Sequence, residues 1–222
     1  MKTKLLTLSA IFVLATFALQ AQVDFGILGG INFQNLNGKD FLGDKLENDM
    51  IIGYHAGVNV QILLVSEFYF QPGLLFSTKG AKSVDGSITT KVKLSYVELP
   101  LNIVFKGKLG NGFVLVGLGP YLGFAIGGKV INEGGSSELE TKITFQNVIE
   151  EGDDLLTPYL KRFDAGGNIF VGYELAGGLF FQLDAQLGMI KINPKDNRVE
   201  PIYSDKSSVK NTGFGLSVGY RF

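Results

Sequence analysis

Apolar residues fall at every second position along most of the chain, the period of a strand with one apolar face. In Asp24–Phe33, Phe25, Ile27, Ile31 and Phe33 share a face and Asp24, Gly26, Gly30 and Asn32 the other. Ile51–Ile62 sets Ile52, Tyr54, Ala56, Val58, Val60 and Ile62 against Gly53, His55, Gly57, Asn59 and Gln61. Glu67–Ser77, Lys91–Lys106, Phe113–Ile126, Phe163–Glu174, Phe181–Ile192 and Asn211–Phe222 repeat the pattern. In Lys91–Lys106 the parity reverses: Val92, Leu94 and Tyr96 are apolar before Glu98, and Leu99, Leu101, Ile103 and Phe105 after it. The reversal predicts a β-bulge, one extra residue near Val97–Glu98, and Pro100 fits an irregular ladder there.

Eight segments of ten to sixteen residues result. Soluble strands average about 5–6 residues, whereas a tilted membrane-spanning strand needs about 9–11. The connections alternate in length. Gln34–Met50, Lys79–Thr90, Gly127–Arg162 and Asn193–Lys210 are long and polar, and Leu63–Ser66, Gly107–Gly112 and Leu175–Gly178 are short. Transmembrane barrels have short turns on one side and long loops on the other. The expected fold is all-β, a transmembrane eight-stranded antiparallel up-and-down β-barrel, with both termini on the short-turn side. Within Gly127–Arg162, Thr141–Val148 is expected to extend a hairpin above the membrane.

A barrel in hydrocarbon turns its apolar face to lipid and its polar face inward, and eight strands enclose a lumen that side chains fill. The expected interior acids are Glu67, Glu98, Asp164, Glu174 and Asp184, and the interior bases are Lys91, Lys93 and Arg221. Glycine on the inner face makes room for longer polar chains. Phe25, Phe33, Phe68, Phe76, Tyr96, Phe105, Tyr173, Phe181, Tyr220 and Phe222 stand near strand ends, as interfacial aromatic girdles do.

Composition adds an address. Met1–Lys4 carries two positive charges, Leu5–Leu19 is almost wholly apolar, and Ala21 offers a cleavage point: the signature of a secretory signal peptide over 1–21, leaving one domain, 22–222. That domain carries 18 positive and 21 negative charges, a net charge of −3. No basic excess points to nucleic acid. With no Cys in the chain, disulfides, thiolate metal sites and cysteine nucleophiles are excluded.

The signal peptide, the first segment FGILGGINF, the YVELPLNIVFK stretch and the closing GLSVGYRF together resemble the PorT-like outer-membrane β-barrel proteins of Bacteroidetes. The alternating end Phe214, Leu216, Val218, Tyr220, Phe222 also resembles the C-terminal signature that barrel-assembly machinery recognises. The resemblance implies outer-membrane localisation. Its name-giving member is associated with a secretion system that exports surface proteases.

Candidate chemistry is sparse. His55 is the only histidine and has inward parity, as do Ser77 and Ser217; a catalytic reading needs a serine beside it and access to lipid. Glu150, Glu151, Asp153 and Asp154 form an acidic cluster without the residue order of a calcium loop. No catalytic, cofactor-binding or metal residue is assigned, no cofactor is expected, and the chain is not expected to be an enzyme. The expected role is structural, partner-binding or secretion-accessory. Outer-membrane lipids, lipopolysaccharide included, are its surroundings, and an envelope or secretion-system protein would meet loop 127–162. A closed ring leaves no free edge, so a monomer is expected. A lipid-modifying enzyme, a narrow channel and a soluble periplasmic ligand-binding barrel are the alternatives.

Overall fold

The computed structural model describes residues 23–135, 137–198 and 205–222. The expected signal peptide, 1–21, lies outside them. The strands in chain order are β1 (Val23–Lys39), β2 (Ile51–Val65), β3 (Phe68–Asp85), β4 (Ile88–Leu109), β5 (Gly112–Gly134), β6 (Ser137–Lys142), β7 (Thr144–Phe145), β8 (Val148–Ile149), β9 (Tyr159–Leu160), β10 (Phe163–Leu175), β11 (Leu179–Gly188), β12 (Lys195–Asp196) and β13 (Ser208–Arg221). Eight of them form a hydrogen-bonded ring in the order β1, β2, β3, β4, β5, β10, β11, β13 and back to β1. Every pairing in the ring is antiparallel. Each ring strand thus has a neighbour on both sides to take up its N–H and C=O groups, as a strand in lipid requires.

The short turns lie at one end and the long excursions at the other. Both described ends of the chain lie with the short turns: Val23 faces Ile62, and the Phe222 N–H donates to the Phe25 carbonyl at 2.8 Å. One expected loop is instead strand. Lys79–Thr90 continues β3 and β4 to a two-residue turn, with Asp85 opposite Ile88 and Gly86 at φ 57°. A residue with positive φ favours glycine, which has no Cβ to clash. Gln34–Lys39 likewise prolongs β1, and β5 runs on to Gly134 before folding back as β6. The hairpin partner above the ring is therefore Ser137–Lys142 rather than Thr141–Val148. Inserted between β5 and β10 are β7, β8 and β9, two of which pair in parallel with each other while the third pairs with β12.

The predicted bulge at Val97–Glu98 is absent from β4. Its inward side keeps one parity throughout, with Leu94, Tyr96, Glu98, Asn102 and Val104 all buried. The β3–β4 register runs from Phe68 opposite Phe105 to Asp85 opposite Ile88 without a shift. The irregularity lies in the neighbour: Ser95 faces Gly127 and Tyr96 faces Ala125, so Ile126 of β5 is the extra residue. The hydropathy reverses because the surroundings reverse. Below Glu98 the outer face carries exposed Leu99 and Ile103, and the inner face carries Asn102 with Val104. Above it Leu94 and Tyr96 are inside, in an apolar cluster with Leu36, Ala81, Ala125, Ile143 and Ile192, and Lys93 is outside. Lys91 and Lys93 are therefore not interior bases, and Tyr96 is not a girdle aromatic.

The outer belt otherwise follows the pattern. Phe25, Ile52, Val58, Leu74, Leu118, Ile169, Leu183 and Leu216 are exposed. Girdle aromatics pair across strands, Phe33 with Phe214 at 4.9 Å and Phe68 with Phe105 at 5.5 Å between ring centroids. Such pairs contribute beyond the area they bury.

Candidate functional site

The inward face fills the ring in layers. Nearest the short turns, Glu174 accepts from the Lys106 ammonium at 2.6 Å and from the Arg221 guanidinium at 2.9 Å. Arg221 also donates to Asn59 Oδ1 at 3.0 Å, and its guanidinium lies 5.2 Å from the Phe180 ring centre. Beside them Val104, Leu115 and Phe170 form a small apolar cluster with Tyr69 against it.

Above that layer lies a polar cavity of about 70 Å³, lined among others by Asn32, His55, Glu98, Asn102, Asp184 and Ser217. That is the space of about two water molecules. Asn32 donates its amide to Ser77 Oγ at 3.1 Å and Thr78 O at 3.3 Å. This turns Asn32 Oδ1 toward His55 Nδ1, which must then carry the proton. His55 Nε2 stands 2.7 Å from Ser217 Oγ, and Ser217 Oγ lies 3.4 Å from Asp184 Oδ1. Parity alone puts both serines on the inner face; the register of β1 with β2 and β13 brings His55 and Ser217 together, because Gly30 faces both.

The next layer is a cage around Lys79. Its ammonium lies 2.5 Å from Glu98 Oε1 and 3.3 Å from Asp164 Oδ2, and 4.4 Å from the Tyr121 ring centre. Asp164 Oδ2 also accepts from the Tyr121 hydroxyl at 3.0 Å and from Asn211 at 2.9 Å. Glu98, Asp164, Glu174 and Arg221 are buried as expected, and Asp184 lines the cavity. Glu67 does not belong with them; it sits exposed in the short turn after β2, at φ 67°. Arg221 answers Glu174 as expected, and the other bases that answer these acids are Lys79 and Lys106. Lys106 is visible from parity, but Lys79 stands in the polar stretch read as a loop.

The long segment after β5 closes the layers over. Ile143 of this segment joins the apolar cluster together with Ile192 from the connection after β11, the Ile143 N–H donates to Gly128 O at 3.0 Å, and Arg162 lies over Phe145 at 4.7 Å. The acidic cluster locks the segment's tip. Asp153 accepts from Glu150 N at 2.8 Å and Gln146 Nε2 at 2.7 Å, and Asp154 from Leu156 N at 3.0 Å and Thr157 Oγ1 at 2.7 Å. These bonds hold both carboxyls below the usual aspartate range. A lowered folded-state pKa gives a contribution that is complete above the unfolded value and is lost as pH falls through the folded one. Protection of the Leu156 amide, its exchange rate set against that of an unprotected amide at the same pH, is therefore expected to hold from neutral pH to pH ~4 and to fall only in stronger acid. Protection that begins to fall near pH 6 would contradict this. The locked tip presents Leu155 and Leu156 at 79% and 88% exposure. Among the described residues no group of three or more His, Asp or Glu side chains is placed to hold a metal ion.

A ring of eight strands, apolar outside, filled with paired charges and amides and lidded at one end, has the architecture of an outer-membrane barrel. The chain belongs to the outer membrane protein beta-barrel domain family, whose model matches residues 18–193. It is an outer-membrane protein. No curated protein matches it. Among solved structures it is similar to Ail, the attachment invasion locus protein of Yersinia pestis, in complex with the heparin analogue sucrose octasulfate; identity is 13%, coverage 90% of this chain and 99% of that one, TM-score 0.41. Neisserial surface protein A matches with 13% identity over 89% and 95% of the two chains, TM-score 0.41. The N-terminal β-barrel domain of Pseudomonas aeruginosa OprF matches with 15% identity over 91% and 100%, TM-score 0.35.

Proposed function

We propose that the ring is a closed transmembrane barrel whose work is done by its outward-facing cap, in a structural, partner-binding or secretion-accessory role of the PorT-like kind. One observation carries this reading. The segment 127–162 is folded onto the barrel by strand pairings, apolar packing and a hydrogen-bonded tip, and it holds two leucines out in solvent. Exposed apolar side chains on a rigid support are what a docking partner buries. The test is site-specific photocrosslinking from Leu155 and Leu156 in intact cells, with Lys108, at the short-turn end of β4, as the control position. A discrete adduct from the leucines, absent from Lys108, is expected; equal labelling from both ends of the barrel would count against the reading. In washed outer membranes the protein should resist alkaline extraction and migrate differently unboiled and boiled. Recovery from the soluble periplasmic fraction would refute the barrel itself. The filled lumen and its cap predict no steady conductance in planar bilayers.

A second reading has one observation in its favour. Ser217, His55 and Asn32 stand in the order of nucleophile, base and orienting amide. Two features oppose it. The Ser217 backbone lies mid-ladder between β1 and β11, where its N–H is committed to sheet pairing rather than to an oxyanion. The hydroxyl also opens on a cavity of about 70 Å³, too small for an acyl chain. A fluorophosphonate probe is expected to leave Ser217 unlabelled in folded protein, and labelling abolished by Ser217→Ala would establish the enzyme.

A further inference from the structure

On the outer wall, Lys93 of β4 lies directly opposite Lys129 of β5, and Lys129 directly opposite Lys142 of β6. Like charges facing each other across strands are destabilising, so a row of three needs an anion. Glu140 supplies part of it, at 2.6 Å from Lys129. Among the described residues Lys93 and Lys142 make no ion pair. On these three strands the acids of this face stand only beyond the lysine row. Moving away from the belt on the same face, the next rows are Lys91, Ile131 and Glu140, then Thr89, Glu133 and Glu138. Toward the belt the same strands carry Ser95, Val97, Gly127 and Phe124, with no acid among them.

The three lysines line a groove of about 530 Å³ that also takes in Ile52, Tyr54 and Glu140. Ile52 and Tyr54 are 73% and 59% exposed. Gly127 lines it too, where a Cβ would meet nothing within 4 Å. Ammonium groups thus sit at the long-loop edge of the apolar belt, with the apolar side chains of Ile52 and Tyr54 in the same groove. This is the arrangement that matches an amphiphile with an anionic head and an acyl tail.

We propose that this groove binds the phosphorylated headgroup of an outer-leaflet lipid, the phosphate held between Lys93, Lys129 and Lys142 and an acyl chain lying on Ile52 and Tyr54. The site rests on the transmembrane reading above. It deepens that reading by placing the outer-leaflet boundary at the lysine row.

The test uses the full mature chain refolded in detergent and native mass spectrometry, with bisphosphorylated lipid A, the same lipid A dephosphorylated, and inorganic phosphate as separate probes. Lys93→Gln with Lys142→Gln is expected to weaken bisphosphorylated lipid A about 30-fold, from the typical contribution of two surface lysines. Arginine at both positions should restore binding, and Lys108→Gln, at the opposite end of β4, should leave it unchanged. Binding should also weaken as salt is raised. Equal retention of the dephosphorylated lipid, or full binding by the double glutamine variant, would overturn the site. Displacement by millimolar inorganic phosphate would make it a free-anion site and overturn the lipid assignment. Each variant is checked for the heat-modifiable band: a wild-type protein lacking that band fails the barrel reading, whereas an intact band with no lipid preference fails this site alone.

Discussion

Replacing Lys79 by alanine is expected to cost about 3–5 kcal/mol of folding stability, the range for breaking a buried ion pair by removing one partner. Lys79, Glu98 and Asp164 are 1%, 3% and 0% exposed, so water cannot take over the role of the ammonium. What remains would be two carboxylates facing the same hole. Neutral donors soften the loss, since Asp164 keeps Tyr121 and Asn211 and Glu98 keeps Gln186 at 3.2 Å. None of these carries charge. The informative partner is the triple change Lys79→Met, Glu98→Gln, Asp164→Asn. It preserves volume and most donors and removes all three charges, and it should return stability to the wild-type level or above it. Urea unfolding into and out of detergent, read by heat-modifiable migration, measures both. A Lys79→Ala protein unfolding at the wild-type midpoint would mean that the cage is wet or already neutral.

The cage shows why some of the site could be read from sequence and some could not. Glu98 and Asp164 fall in segments with apolar residues at alternate positions, so parity alone sends them inward. Lys79 falls in STKGAKSVDGS, where the strand has risen out of the belt and both faces carry polar or small residues. Period two then has no contrast to work with, although the backbone is still strand. The reversal in β4 has the same origin. Alternation reports that two faces differ; it does not report which face is inside. A strand that passes from hydrocarbon into water keeps its geometry and exchanges its preferences, so Leu94 and Tyr96 point in where Leu99 and Ile103 point out.

Contacts between distant segments were illegible for a different reason. Parity placed His55, Ser77 and Ser217 on one face but could not set their heights, which depend on register. The cap is harder still. Its two parallel pairings join two-residue strands, Thr144–Phe145 with Tyr159–Leu160 and Val148–Ile149 with Lys195–Asp196, too short to leave a periodic trace. What the sequence did show was enough length and polarity between β5 and β10 for a structure of its own.

Glycine carries the second large effect. Glycines on the inner face were expected to make room for polar side chains, and Gly215 does, against Asp184. Gly219 has another task. A Cβ there would stand 2.2 Å from the tip of the Phe180 ring and 2.4 Å from the Ile27 carbonyl oxygen. Phe180 is 1% exposed and lies against Arg221, so the ring has nowhere to go without moving the guanidinium that holds Glu174. The Ile27 oxygen belongs to the β1 ladder and cannot retreat without opening it. Gly219→Val is therefore expected to exceed the usual overpacking cost of about 1–3 kcal/mol, because backbone as well as side chain must shift. Gly134→Val is the matched control. Its nearest neighbour would be Ile88 Cγ1 at 3.7 Å, an ordinary contact, and a β-branched residue suits an extended strand. That variant should fold and melt like the parent, while Gly219→Val should lose the heat-modifiable band. Adding Phe180→Ala to Gly219→Val separates the two clashes. Partial recovery is expected, since the ring is removed but the carbonyl remains. Full recovery would assign the whole effect to Phe180, and wild-type stability in Gly219→Val alone would show that the inner face has slack these distances deny.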